Sequence, residues 1–120
     1  MASRVICLAV DCTDTAVLVD FWCAALDYEE LHRWTDPRGC EYVEIGRPGQ
    51  PMLLFQPVPE AKSTKNRLHL DIAPTEGTRE SEVERLVGLG ARVLSADPEF
   101  HWVVLTDPEG NEFCVLPPRT

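Results

Sequence analysis

The sequence predicts an α+β fold of two βαβββ modules that pair into one curved mixed sheet, with the helices on its convex face. Three observations support this prediction. A short β-rich run, a helical repeat and three further apolar runs occur twice along the 120 residues. Turn signals separate the runs at similar places in both halves, and the halves share a weak internal repeat. Because neither module can bury a sheet face alone, we expect them to pack side by side and leave a concave face free for a ligand.

The first module is predicted over about residues 4–57. It begins with the apolar run "VICLAVD", after which apolar residues recur at helical spacing until near Leu26. Thr13 or Asp14 is the expected N-cap of this helix. The turns "DPRG" and "RPGQ" divide the remainder into three strands, at about 28–35, 40–46 and 52–57. The polar, proline-bearing residues 58–66 are predicted to form a linker.

The second module is predicted over about residues 67–118. "RLHLDIA" is the expected first strand, and "TEGTRESEVERLVGLG" has the apolar and acidic faces of an amphipathic helix that ends at Gly90. Three further strands follow in "ARVLSAD", "HWVVLTD" and "EFCVLPP", the last two joined by the turn "PEGN". The whole chain is therefore expected to form one domain.

The internal repeat aligns positions that matter for chemistry. "ICLAVD" lies over "LHLDIA" with a shift of 62 residues, and this places Cys7 over His69. The turn before "MLLF" aligns with the turn before "EFCV" through their glycines, Gly49 over Gly110, and this places Leu53 over Cys114. The repeat predicts that these paired positions occupy equivalent places in the two modules.

Composition excludes several classes of function. The net charge of −9 repels phosphate backbones and anionic lipid, so we expect neither nucleic acid nor membrane as a partner. The N-terminal apolar run, broken by Asp11, is too short for a signal peptide or a membrane span. The cysteines are odd in number and none has CxxC spacing, which favours free thiols in a reducing compartment and a cytoplasmic location. They are Cys7, Cys12, Cys23, Cys40 and Cys114.

Strand periodicity predicts which side chains face the cavity. His69 and Asp71 are two residues apart and project from one face of their strand, as do Glu112 and Cys114. The predicted concave surface contains Cys7, Ala9, Asp11, His69, Asp71, Glu112 and Cys114. Counted back from the "DPEG" turn, a second set shares one face and could form an aromatic floor: Trp102, Val104 and Thr106. The same pattern also fits core packing of Trp102, and Trp34 fits either a cavity wall or a dimer contact.

Several motifs carry a family resemblance that spans the chain. "DPEGNEFCVL" resembles a "DPDGN" turn, and "FWCAAL" resembles an aromatic first helix, both found in the vicinal oxygen chelate superfamily. This superfamily includes glyoxalase I, extradiol dioxygenases, fosfomycin resistance proteins and bleomycin-binding proteins, and the nearest likeness is to its short glyoxalase-like branch. The resemblance implies the glyoxalase/bleomycin resistance/dioxygenase fold and a homodimer.

The resemblance also implies where a divalent metal would be held. The superfamily's strand 5 histidine corresponds to His69, whereas its strand 1 histidine falls on Cys7 and its strand 8 glutamate on Cys114. Its occasional strand 4 ligand falls near Leu53 or Leu54, and neither can ligate. We expect no metal, because one histidine without a carboxylate at the matched positions does not hold Mn²⁺ or Mg²⁺ tightly.

Two alternatives keep a metal. In one, Cys7, His69 and Cys114 form a site for a divalent metal such as zinc or iron. In the other, the metal uses the carboxylates of Asp11, Asp71 or Glu112. The competing interpretation is that each acid is a solvated residue at a strand end.

The functional hypothesis is a glyoxalase-like protein that binds a small organic molecule in its concave sheet without a metal. It would either sequester the ligand or act on it with His69 as general base beside Asp71. A metal-dependent lyase or dioxygenase is the alternative, and an accessory or regulatory domain that acts through protein contacts is a third. Both the ligand and the reaction stay open.

Overall fold

Each half of the chain folds as one helix and one four-stranded sheet. The computed structural model describes residues 1–119, and the chain divides into a unit of Met1–Ala61, called module 1, and a unit from Lys62 onward, called module 2. Module 1 contains β1 (Leu8–Cys12), α1 (Thr15–Leu26), β2 (Glu29–Thr35), β3 (Glu41–Gly46) and β4 (Leu53–Pro57). Module 2 contains β5 (Asp71–Ile72), α2 (Arg79–Leu89), β6 (Arg92–Ser95), β7 (Val103–Thr106) and β8 (Glu112–Val115). The predicted α+β class and the two βαβββ modules are confirmed.

The two sheets have the same topology. Their strand orders are β1-β4-β3-β2 and β5-β8-β7-β6. In each module the first strand pairs in parallel with the last, and the other neighbours are antiparallel. The helix after the first strand is the crossover that such a parallel pairing requires. In both modules the helix packs on one face of the sheet, and the face that this helix does not cover is called the open face.

Helix α1 is strongly anchored in module 1. Its N-cap is Asp14, one of the two predicted residues, whose carboxylate accepts a hydrogen bond from the Val17 N–H at 3.3 Å. Leu18, Phe21 and Trp22 are buried, and the two aromatic rings meet edge to face with centroids 5.0 Å apart. They lie with Val43, Ile45, Leu53 and Phe55 of the sheet among the buried residues of module 1.

Helix α2 is more polar. Thr78 and Ser81 form a capping box, with both reciprocal hydrogen bonds at 3.0 Å. Gly90 ends the helix as predicted, at a φ of 126° that a residue with a side chain rarely adopts. Leu86 is the one buried residue of α2. The sheet of module 2 contributes Val103, Leu105, Phe113 and Val115 to the buried set.

Two expectations about the strands need correction. The predicted strand over residues 67–73 is regular only at Asp71–Ile72, so His69 lies in the segment without regular secondary structure that precedes β5. The repeat placed Leu53 over Cys114, but the sheet register makes Leu54 the equivalent position: Leu54 pairs with Ala9 as Cys114 pairs with Asp71. The reason is one extra residue between Gly49 and β4, which moves that strand by one position and turns Leu53 into the core.

Candidate functional site

The open face of module 2 is built around Cys114 on the central strand β8. Cys114 lies between Asp71 on β5 and Val104 on β7 in the pairing of the sheet. Its neighbours Phe113 and Val115 point into the core, so alternation leaves the Cys114 side chain on the open face. Register and alternation place further predicted residues on this face, namely Trp102, Thr106 and Glu112.

Three groups capable of ligating a metal or moving a proton meet at this face. The Nδ1 atom of His69 lies 3.2 Å from Oδ1 of Asp71. A nitrogen of His69, an oxygen of Asp71 and the sulfur of Cys114 all lie within 4.8 Å of one another. His69 and Asp71 are partly exposed, whereas the free thiol of Cys114 is half-buried. The structure therefore brings together three of the residues that the sequence singled out.

The Cys114 thiol holds its proton. Burial raises its pKa most, and the negative charge of Asp71 and a hydrogen bond to that carboxylate raise it further. The thiol is thus a weak donor to Asp71 and a poor nucleophile, because the thiolate is the reactive form. The Asp71 carboxylate thus lies between the Cys114 thiol and the imidazole of His69.

A cavity of about 330 Å³ opens beside these three groups. Its volume is at the lower end of the range typical of small-molecule sites. The indole of Trp102 forms one wall and stacks on Phe100, with centroids 4.7 Å apart and planes 25° apart. The residues that line it are Lys65, His69, Asp71, Trp102, Val104, Glu112, Cys114 and Leu116. Trp102 is thus a cavity wall rather than the core residue that its pattern also allowed.

Glu112 lines the cavity, but its carboxylate is already engaged. It accepts the Asn66 N–H at 3.0 Å and lies 3.2 Å from the Lys62 ammonium. The hydrogen bond from Asn66 lowers the pKa of Glu112 most, and Lys62 adds to this. Residues 62–66, half of the predicted linker, are thereby fixed against β8. A role for Glu112 in positioning this segment was not predicted.

The remaining candidates lie elsewhere. Thr106 pairs with Glu112 at the end of β7 but is outside the residues that line the cavity. Trp34 of module 1 is 43% exposed on edge strand β2 and stacks on Tyr42, with centroids 5.5 Å apart. Asp11 accepts a hydrogen bond from Gln56 at 3.0 Å on the open face of the module 1 sheet, which Ala9 shares, and Cys7 is a half-buried free thiol just before β1. Roles of these five residues in ligand binding stay predictions.

Sequence reasoning missed two residues of the cavity wall, Lys65 and Leu116. Leu116 follows β8 at the spacing of Cys114 and could have been found by extending the alternation. The signal for Lys65 was the run "KSTKNR", which contains both lysines of the chain and no acid.

Comparison with known proteins shows the family. The model of a family described as "Glyoxalase-like domain" matches residues 7–116. The chain belongs to this glyoxalase-like family. The predicted membership of the vicinal oxygen chelate superfamily is confirmed, and the fold assigned to it agrees with the two modules seen here. No curated protein matches the sequence significantly.

Solved structures share this fold at low sequence identity. One is a variant of FosX, the fosfomycin resistance protein of Listeria monocytogenes, in complex with Mn(II) and 1S,2S-dihydroxypropylphosphonic acid. It is 15% identical to this chain with a TM-score of 0.76, and the match covers 100% of this chain and 95% of that chain. The trypanothione-dependent glyoxalase I of Leishmania major is 16% identical with a TM-score of 0.72, over 96% and 86% of the two chains. A glyoxalase/bleomycin resistance/dioxygenase family enzyme of Burkholderia phytofirmans is 16% identical with a TM-score of 0.69, over 92% and 94%.

The helices give no sign of a membrane span. Within residues 1–119, neither α1 nor α2 has the length and apolar character needed to cross a bilayer.

Proposed function

We propose that this protein binds a small organic molecule in the module 2 cavity and that His69 accepts a proton or a hydrogen bond from it. The observation that carries the proposal is the His69–Asp71 pair, 3.2 Å apart, at the edge of a cavity walled by Trp102. When Nδ1–H of His69 donates to the Asp71 carboxylate, Nε2 is left as the basic nitrogen of the ring. A carboxylate behind an imidazole orients it in this way in many proton-transfer sites.

We further propose that no hard divalent metal takes part. Mn²⁺ prefers oxygen and imidazole donors, and this cluster offers one of each plus a thiol that keeps its proton. These residues therefore do not fit the Mn²⁺ that accompanies FosX. The chemistry left to the site is binding, sequestration or proton abstraction from an acidic position of the ligand by His69.

A metal-dependent lyase or dioxygenase is the second candidate function, and the closeness of the three donor atoms favours it. Imidazole, carboxylate and thiolate are all ligands that Zn²⁺ accepts. His69, Asp71 and Cys114 would hold the ion, and it would polarise an oxygen of the substrate. Binding would have to displace the thiol proton, so the affinity would rise with pH.

Metal content and ligand binding together test the proposal. Protein purified without added metal should contain well under one equivalent of zinc, iron or manganese, and EDTA should leave ligand affinity unchanged. Ligand binding should quench the fluorescence of Trp102 saturably. For ligands that donate a hydrogen bond, His69→Ala should weaken binding about tenfold. Thr106→Val is the matched control, because Thr106 shares the face but does not line the cavity. About one equivalent of metal, lost in His69→Ala, would establish the second candidate instead.

A homodimer and a cytoplasmic location remain predictions from the sequence. An accessory role through protein contacts alone would require that no small molecule enters the cavity, and the same titration decides this.

A further inference from the structure

A short basic segment contributes one side chain to the wall of the cavity. The chain carries 20 acidic against 11 basic residues, yet residues 62–67 contain both lysines and Arg67 with no acid among them. A local basic run in a protein of net charge −9 attracts anions to one place and leaves the rest of the surface repulsive to them.

The segment that carries these charges is held in a defined position. Glu112 of β8 accepts the Asn66 N–H at 3.0 Å and pairs with Lys62 at 3.2 Å. The side-chain amide of Asn66 also donates to Oδ1 of Asn111 at 3.0 Å. Lys65 lies between these anchored residues, so its position at the cavity wall follows from the contacts of its neighbours.

The two lysines differ in whether a carboxylate is paired with them. Lys62 is paired with Glu112, whereas no carboxylate oxygen of residues 1–119 lies within 4.0 Å of the Lys65 ammonium. That ammonium donates to the Asn66 carbonyl at 3.3 Å and keeps its other hydrogens for a ligand. Its charge acts on Cys114, which also lines the cavity: Lys65 lowers the pKa of this thiol, against the larger effect of burial, which raises it.

The two acids that line the cavity have neighbours of their own. Glu112 is paired with Lys62, whereas Asp71 lies beside the Cys114 thiol, with its Oδ1 3.2 Å from Nδ1 of His69. The aromatic wall completes the set of contacts: Phe100 backs the Trp102 ring, and Val104 and Leu116 provide apolar surface. A flat, apolar ligand body with one negative group matches this arrangement.

We propose that the ligand class is the small aromatic carboxylate, with its ring against Trp102 and its carboxylate on the Lys65 ammonium. This inference rests on the proposed function, because it concerns the same cavity. It adds Lys65 as the residue that selects an anion over the neutral analogue of the same shape.

Matched pairs of probes test the selectivity. Binding of 4-hydroxybenzoate and benzoate is compared by calorimetry with binding of their primary amides, which keep the ring and lose the charge. In the unmodified protein each acid should bind about tenfold more tightly than its amide, since a charge-assisted hydrogen bond is worth that much. Lys65→Gln should abolish this difference in affinity by weakening the binding of the acids alone. Lys65→Arg should restore most of the difference.

Arg92→Gln is the control variant, because it removes the same charge on edge strand β6, away from the residues that line the cavity. Trp102→Ala should weaken the binding of acids and amides alike. Equal affinities of acid and amide, or equal losses of both in Lys65→Gln, would overturn the inference and leave the proposed function standing. If neither series binds saturably and Trp102→Ala changes nothing, the cavity is no ligand site, and both proposals fail.

Discussion

The two modules share one topology but divide structure and chemistry between them. Module 1 has a helix with five buried residues and contains most of the buried apolar residues. Module 2 has a helix with one buried residue, and it also has the cavity and the His69, Asp71 and Cys114 cluster. The comparison shows that repetition of a fold does not repeat its chemistry, because alternate positions on the strands can change freely once the core positions are kept.

The largest expected effect concerns the two helices. Leu18→Ala in α1 should lower the free energy of unfolding by about 2–5 kcal/mol, because a fully buried leucine leaves a cavity. Leu86→Ala, at the one buried position of α2, should cost a similar amount. Leu89→Ala in α2 removes the same atoms at a side chain that is 39% exposed, and should cost about 1 kcal/mol or less. Urea denaturation measures all three losses, and the slope of the unfolding free energy against urea concentration should be the same in each variant.

A loss in Leu89→Ala as large as in Leu18→Ala would break this comparison. It would mean that the apolar side of α2 is covered in solution, as the predicted homodimer could cover it.

The second effect compares two turns of the same chemistry. Asp107 accepts the N–H groups of Glu109 at 2.9 Å and Asn111 at 3.0 Å, as Asp36 does from Arg38 at 2.8 Å and Cys40 at 3.0 Å. Asp107 is only 3% exposed, so Asp107→Ala leaves buried donors unpaired and should cost about 1–3 kcal/mol. Asp36→Ala should cost less, because water reaches its turn. Thermal unfolding of the two variants gives the order, and a larger loss in Asp36→Ala would contradict it.

The smallest effect is a pH dependence confined to module 2. The pKa of Glu112 is lowered by Asn66 and Lys62, so its contribution to stability is complete above the unfolded value near pH 4.3 and is lost as pH falls through the lower folded value. The protein should therefore exceed Glu112→Gln in free energy of unfolding by about 1 kcal/mol at pH 6, and this difference should shrink as the pH falls below the unfolded value.

Urea midpoints across this range check the prediction. Lys62→Met, which removes the ion pair and leaves the Asn66 hydrogen bond, should show part of the same dependence. A difference that stays constant as the pH falls below the unfolded value would mean that the Glu112 carboxylate does not anchor residues 62–66.

Local patterns were sufficient for the fold. Strand alternation, the cap at Asp14, the ending at Gly90 and the repeated element order predicted the helices and most strands within a few residues. These signals are local, because each depends on side-chain period or backbone conformation over one or two turns. The strand near His69 is shorter than its sequence predicts, because a β-rich composition does not show how many residues find a pairing partner.

The sequence by itself determined the family, the module plan and the face that carries His69, Asp71, Glu112 and Cys114. Only the tertiary structure decided that His69 and Asp71 lie 3.2 Å apart, that Glu112 is held by Lys62 and Asn66, and that Lys65 stands at the cavity wall. It also decided that Leu54, not Leu53, is the counterpart of Cys114. The physical reason is that these facts depend on contacts between segments up to 50 residues apart, where one extra residue in a turn reverses which side chains face the site.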